Sequence, residues 1–437
     1  MSNSVLGLIS LFVAIIGVLT GFPMAFVFIF VALLFGYIGI GHQVFYLLTY
    51  QFFELMTSVE LAAIPLFLFM GYLFEQSGLM DRMFGALRMS LGGVTGSLYI
   101  IVMIVATIFA AATGIVGASV TVLGVMAGPM MIQSGYDTRL SAGVIAAGGT
   151  LGILIPPSVM LIVMGPLVGV PVSDLFAGAI VPGLMLSSAY LIYAVIRCYF
   201  NPALGPALVH EGAAPSAREK ARELVLGVIP VAVVILSTLG LIIAGVTTPT
   251  DAAATGTFAT LLLTAAYGRL GLPQLKRAVF RTMETTAFIM FLIGAANFFG
   301  AVFARLGSGN LITNLLTGLP IPPVAMLVLM LFIIFLFGGP LEWIPIVLVV
   351  VPILLPVARE LGFDMLWFSI LVAVTLQSSW LTPPMALSSY FLKGVVPQWS
   401  MKDIYIGMIQ FVGLQAVVIG LLIKFPILVT WLPQLGD

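Results

Sequence analysis

The chain has 437 residues, 61% hydrophobic and 7% charged, and its 16 basic and 16 acidic side chains cancel. A mean hydropathy of +1.23 leaves too few polar groups to cover a water-facing surface, so the composition describes a polytopic membrane protein and excludes a soluble globular domain. Balanced charge leaves no footprint for nucleic acid; the single cysteine, Cys198, excludes an intrachain disulfide, and two histidines, His42 and His210, give zinc and haem little to bind.

In chain order, VLGLISLFVAIIGVL has no basic residue ahead of it and runs into a second span after TGFP, which reads as a span rather than a cleaved signal peptide. Apolar runs recur at Val5–Thr20, Met24–Ile40, Leu175–Ile196, Leu224–Ala244, Ala325–Phe337 and Ile404–Leu422. By length they predict roughly ten to thirteen membrane segments, some re-entrant. HQVFYLLTYQFFELMTSVE and LMDRMFGALRMSLGG (Leu79–Gly93) read as amphipathic and interfacial. Residues Asn201–Glu223 form the most polar stretch, read as a linker in which AREKARE makes a short surface helix. Arg197, Arg218, Lys220 and Arg222 place it in the cytoplasm. In TTPTDAAATG, Pro249 falls near the first helical position and Asp251 in the first turn, a structural role. Most of the remaining arginines and lysines sit at loop edges, where they orient spans.

The chain also repeats itself. Pro156-Pro157 in GTLGILIPPSVML and Pro383-Pro384 in LQSSWLTPPMALS stand 227 positions apart, as do Ser134–Asp137 and Leu361–Asp364, and Pro129 and Pro356. Pro23 and Pro249, and Val170-Pro171 and Val396-Pro397, match at an offset one shorter. Five anchors in one order define two repeats, 1–200 and 224–437, joined by the 201–223 linker. Paired repeats in a membrane chain mark secondary transporters, whose sites form near the midplane where discontinuous helices of the two halves meet.

Each Pro-Pro pair frees backbone carbonyls, and in lipid an unsatisfied carbonyl costs several kcal/mol unless it faces a cavity, water or an ion. Polar companions flank each break: Thr150 and Ser158 around Ile155-Pro156-Pro157, and Gln377, Ser378, Ser379 and Thr382 ahead of Pro383-Pro384. Freed carbonyls and hydroxyls make a neutral oxygen cage suited to a monovalent cation such as sodium. The competing structural reading is a packed kink whose Ser and Thr hydroxyls bond back to helix carbonyls. Upstream of each break lies a second irregular stretch. AAATGIVGASVTVLG (Ala110–Gly124) holds Gly114, Gly117 and Gly124 with the hydroxyls of Thr113, Ser119 and Thr121, and FGGPLEWIPIV (Phe337–Val347) holds Gly338, Gly339 and Glu342. Both read as tips of re-entrant hairpins, against the alternative of close packing through small residues. Glu342 is an ionisable group at membrane depth, for which cation coordination, capping of hairpin amides and proton carriage all fit.

These residues resemble a known family, the large membrane subunit of the tripartite ATP-independent periplasmic (TRAP) transporters. The resemblance rests on AAIPLFLFMGYLFEQSGL (Ala62–Leu79), ATGIVGASVTVLG, GTLGILIPPS, TTPTDAAA, VPILLPVARELGFD (Val351–Asp364) and LTPP, in the family's order over nearly the whole chain. It implies the permease subunit of a sodium-driven importer of small organic acids in the bacterial inner membrane. A separate small membrane subunit of about four helices and a periplasmic substrate-binding protein are implied as partners, with sodium as coupling ion and no other cofactor. The architecture implied is all-helical: two inverted repeats, a scaffold, and an elevator-type transport domain. The moving part would hold two hairpins and two broken helices at Thr113–Thr121, Gly149–Ser158, Gly338–Pro345 and Gln377–Pro384. Many members have a Ser-Gly-Ser hairpin tip. Here the tip is TGIVGAS, so no hydroxyl stands at Ile115 or Val116. That version resembles the branch associated with 2-oxo acids, mannitol-type and chloroaromatic substrates more than the sialic acid carriers.

Three other readings compete: a stand-alone sodium-coupled dicarboxylate carrier, an intramembrane enzyme and a respiratory-complex subunit. An enzyme needs a nucleophile with a base, or a metal, in the membrane, and neither histidine nor Cys198 is placed for that. A respiratory subunit needs a relay of buried ionisable residues, and Glu342 alone does not make one.

Overall fold

Backbone in lipid must satisfy its own polar groups, and every regular element described is accordingly helical. The computed structural model describes residues 2–208 and 216–435; His210 falls outside them. The first half runs α1 (Asn3–Leu19), α2 (Met24–Ile40), α3 (Gln43–Thr57), α4 (Ala63–Gln76), α5 (Leu79–Leu91), α6 (Ser97–Thr113), α7 (Val116–Gln133), α8 (Thr138–Thr150), α9 (Val159–Val168) and α10 (Val172–Phe200). The second begins with α11 (Ala217–Ile235), a π turn, α12 (Leu241–Ile243), α13 (Pro249–Ala266), α14 (Leu272–Arg305), α15 (Ser308–Thr317) and α16 (Pro323–Gly338). It ends with α17 (Trp343–Pro345), a π turn, α18 (Val351–Glu360), α19 (Met365–Gln377), α20 (Leu387–Val395), α21 (Met401–Lys424) and α22 (Ile427–Thr430).

The 227-residue offset maps helix onto helix. Shifted by it, α8 and the tight 3-10 turn Leu151–Ile153 land on α19 and the turn Ser378–Trp380 to the residue, and α7 lands on Trp343–Glu360. Matching side chains do the same work: the Asp137 carboxylate accepts from the Leu140 amide at 2.8 Å, and Asp364 from Trp367 at 2.7 Å, each capping its helix. The halves interlock, since α8 lies along α21 while α19 lies along α10. A Cβ on Gly143 of α8 would stand 2.7 Å from the Gly407 carbonyl oxygen of α21, so these backbones meet directly. Both α8 and α19 are buried on all sides from about their first turn onward, which is why neither shows an amphipathic stripe.

Three expectations need correction. AREKARE is not a separate surface helix: it forms the first turns of α11, fixed by a capping box between Ser216 and Glu219. Among the described residues six helices are long and apolar enough to cross a membrane, or seven if α3 and the Glu60–Gln76 segment, bent by 60°, count as one span. The larger number expected from apolar runs includes helices of 10–17 residues, such as α9, that are arms of interrupted elements. The α3 segment, read as lying in the interface, therefore also serves as the first arm of that bent pair. The Asp251 reading holds: Pro249 opens α13, and the capping hydroxyl of Thr248 accepts the Asp251 amide and donates to its carboxylate at 2.8 Å.

Candidate functional site

In the first half the chain turns back at Thr113-Gly114-Ile115 between α6 and α7, with Gly114 left-handed at φ 63°. That tip presses on its own broken helix. A Cβ on Gly114 would collide with the Pro157 carbonyl oxygen, and one on Gly152 would lie 3.4 Å from the Gly114 carbonyl carbon and the Ile115 nitrogen. Glycine is required where two irregular backbones touch. Further along α7 the glycines have another duty. Gly117, Gly124 and Gly128 receive Phe391, Val395 and Val396 of the α20 segment, so the small-residue packing reading describes this arm well.

The second half repeats the arrangement. Gly338 sits against Ser379, whose Cβ would lie 2.8 Å from a Cβ added there, and the Gly339 carbonyl accepts the Met385 amide at 3.2 Å. Each hairpin tip thus meets the break of its own repeat. Both Pro-Pro bonds, Pro156-Pro157 and Pro383-Pro384, are cis. The surroundings differ: Ile155, Pro156 and Pro157 are buried, whereas Pro383 and Pro384 are exposed and Thr382 is half-buried.

The two breaks meet each other through one bond. Gln377 donates from Nε2 to Thr150 Oγ1 at 3.0 Å, with both residues fully buried and 227 positions apart. They are therefore repeat-equivalent residues touching across the pseudo-symmetry axis. Among the described residues, Gln377 Oε1 has no partner.

All the predicted hydroxyls bond back to their own helices. Thr113 donates to Phe109, Ser119 to Ile115 at 2.6 Å, Thr121 to Gly117, Thr150 to Ala147, Ser158 to Ile153, Ser378 to Thr375, Ser379 to Leu376 and Thr382 to Ser378. That is the geometry of the structural reading; Thr150 also accepts from Gln377 and Ser158 from the Leu161 amide, while the remaining hydroxyl oxygens keep lone pairs able to accept from, or coordinate, a further group. Glu342 occupies the N-cap position of α17 with no side-chain cap bond, and the ion pairs among the described residues do not include it. Of the three roles open to it, amide capping is therefore not the one this conformation uses. The sequence reading stopped short of Ser388 and Ser389. Both are fully buried, and among the described residues neither hydroxyl has a partner. A Ser-Ser pair opening a helix five residues past Pro383 was the available signal.

A cavity of about 590 Å³ opens between α3 and α14 on one side and the elements that follow each tip or break on the other, although α14 also packs directly on the π turn after the second tip. Gln51, Glu54, Glu60 and Asn297 line one side, and Pro166, Leu348 and Pro352 the other.

An all-helical, multi-pass chain in which two equivalent halves each set a re-entrant tip against a broken helix has the build of a secondary-transporter permease. The chain belongs to the DctM components of the tripartite ATP-independent periplasmic transporters, whose family model matches residues 9–428. It is thus a TRAP large permease, a multi-pass protein of the inner membrane. It is 30% identical over 351 residues to the C4-dicarboxylate TRAP transporter large permease protein DctM of Pseudomonas aeruginosa, covering 80% of each chain. Against the sialic acid TRAP transporter large permease protein SiaM of Vibrio cholerae, identity is 26% over 418 residues and 95% of each chain. The crystal structure of the Alcanivorax borkumensis YdaH transporter, described as having an unusual topology, shares the fold with a TM-score of 0.65 at 18% identity, covering 88% of this chain and 89% of that one.

Proposed function

We propose that this permease imports a small organic acid, driven by sodium, and works with a small membrane subunit and a periplasmic substrate-binding protein as separate chains. The observation that carries this reading is the convergence of both breaks at Thr150–Gln377, each roofed by its own hairpin tip. Non-helical backbone at membrane depth is stable only where something polar completes it. Neutral carbonyl and hydroxyl oxygens at Thr113–Gly114 with Ile155–Ser158, and at Gly338–Gly339 with Ser378–Thr382, form donor sets that suit a weakly held monovalent cation. Glu342, three residues past Gly339 and lacking an ion-pair partner among the described residues, is a carboxyl group that a bound cation would hold in its charged form. The names of the relatives, for C4-dicarboxylates and sialic acid, support an organic acid as cargo.

Movement follows the same division. The tips and breaks, from α6 to α9 and from α16 to α20, would travel as one body past α1–α5 and α11–α15, with the cavity between α14 and Pro166 marking the seam. The test is uptake of radiolabelled organic acids into proteoliposomes, with and without inward sodium and with each partner chain omitted in turn. Uptake that requires sodium and both partners is expected. Sodium-driven uptake by this chain alone would replace the tripartite reading with a self-sufficient carrier.

A further inference from the structure

The two breaks are alike in backbone but not in polarity. Behind the first, α9 opens with Val159, Met160, Leu161 and Ile162, and the Ser158 hydroxyl caps it by accepting the Leu161 amide. Behind the second, α20 opens from Ala386, a left-handed residue at φ 35° whose side chain caps nothing, and its first turn reads Leu387-Ser388-Ser389-Tyr390. Ser388 and Ser389 are each fully buried, and among the described residues neither hydroxyl has a hydrogen-bond partner. Leaving such groups unpaired costs free energy, so native proteins tend to keep them where a ligand can pair with them.

Three features indicate what that ligand is. Side chains on a helix lean toward its N-terminus, and at this end the Ser389 amide bonds the Ala386 carbonyl at 2.7 Å, so the amides left without a helical acceptor are those of Leu387 and Ser388. Free amides are ordinary at a helix start; two buried hydroxyl donors beside them are not. The partial positive charge of that end favours an anion. A third unpartnered donor belongs to the same segment: Trp380 stacks on Phe391, in the middle of α20, at 6.4 Å, and its buried indole Nε1 has no partner among the described residues.

Position singles out the occupant. Both hairpins hold the α20 segment, the second just ahead of it through the Gly339 carbonyl on the Met385 amide, and the first at mid-helix through Phe391 on Gly117. Pro383 and Pro384 leave this break open to the surface, while its counterpart is closed. We infer that the N-terminus of α20, with Ser388, Ser389 and Trp380 Nε1, binds a carboxylate of the transported acid. The two breaks are then functionally unequal, the anion lying at the second. This inference rests on the organic-acid reading above and assigns its anion subsite.

The test uses the purified full chain in nanodiscs with succinate, pyruvate and N-acetylneuraminate as separate probes, measured by equilibrium binding in saturating sodium. Ser388→Ala/Ser389→Ala should weaken binding of whichever probe the native chain holds by at least tenfold. Sodium affinity, read separately, should change less than twofold, and Trp380→Phe should give an intermediate loss. Ser388→Thr, which keeps a hydroxyl, should restore part of it and so separates lost donors from lost folding. Unchanged anion binding in the double variant, a loss confined to sodium affinity, or no binding of any probe to the native chain would each overturn the subsite. Failure of the organic-acid reading looks different: probes bind and respond to the variants, yet the assembled three-chain system moves none of them.

Discussion

Replacing Gln377 by leucine tests whether its amide oxygen is truly orphaned. The bond from Nε2 to Thr150 Oγ1, at 3.0 Å, is net favourable by about 0.5–1.5 kcal/mol, with interhelical bonds in membranes averaging about 0.6. Against it stands Gln377 Oε1, buried without a partner among the described residues, a burden of about 1–3 kcal/mol. Leucine of similar volume removes both. Gln377→Leu should therefore leave stability within about 1 kcal/mol of native, on the stabilising side if the oxygen's burden is the larger. Thr150→Val should behave in the opposite sense: it leaves the whole Gln377 amide unpaired and should cost about 1–3 kcal/mol. Combining the two should recover much of that loss, because the second change removes the group the first one stranded. Unfolding in mixed micelles, with choline replacing sodium, gives all four corners of the cycle. A Gln377→Leu loss above about 2 kcal/mol in choline would refute the reasoning, since it would mean the oxygen is already paired in the native chain.

Four further outcomes are expected. Gly114→Ala places a side chain on a left-handed backbone and against the Pro157 carbonyl, and should abolish uptake, whereas Gly135→Ala, at φ 70° with nothing within 4 Å, should cost only about 1–2 kcal/mol and leave uptake near native. Asp137→Ala and Asp364→Ala each remove a helix cap and should lower stability by about 1 kcal/mol apiece, measured in the same micelles. Glu342→Gln should raise the sodium concentration for half-maximal uptake at least tenfold, and an unchanged sodium dependence would remove the residue from the cation site. Asp403→Ala breaks a solvent-screened pair with Arg139, half exposed on the arginine side, so the melting temperature in micelles should stay close to native.

Much of this architecture is written in the sequence because the punctuation is local. Proline, glycine and capping aspartate act within a few residues of where they stand, so the Pro-Pro pairs announced the breaks, while SGYD and LGFD, read only as matching anchors of the repeat, prove to cap α8 and α19. The Thr150–Gln377 contact was present too. Both residues had been singled out, and their separation equals the repeat offset, but a contact on a symmetry axis is visible only once the halves are imagined folded together. Continuity was harder to read. The charged AREKARE looks like a surface element, yet nothing in it stops a helix before Pro230, so it runs on as α11. Ser388 and Ser389 escaped notice because a hydroxyl pair at a helix start ordinarily faces water, and only the packing of α20 against α7, α8 and α21 buries it.

The long helix α14 gives the duplicated halves different mechanics. Its first-half counterpart, α3 with the Glu60–Gln76 segment, is folded at a 60° elbow, whereas α14 continues unbroken for 34 residues. At a rise of 1.5 Å per residue it measures about 51 Å, far more than the roughly 30 Å of hydrocarbon a bilayer offers. It must lie steeply slanted or stand well clear of the lipid, and it rests along α2, α3 and α4 of the other half. A continuous helix laid along a bent one therefore gives the two halves unlike outer walls, one unbroken and one with a corner at Ser58–Val59.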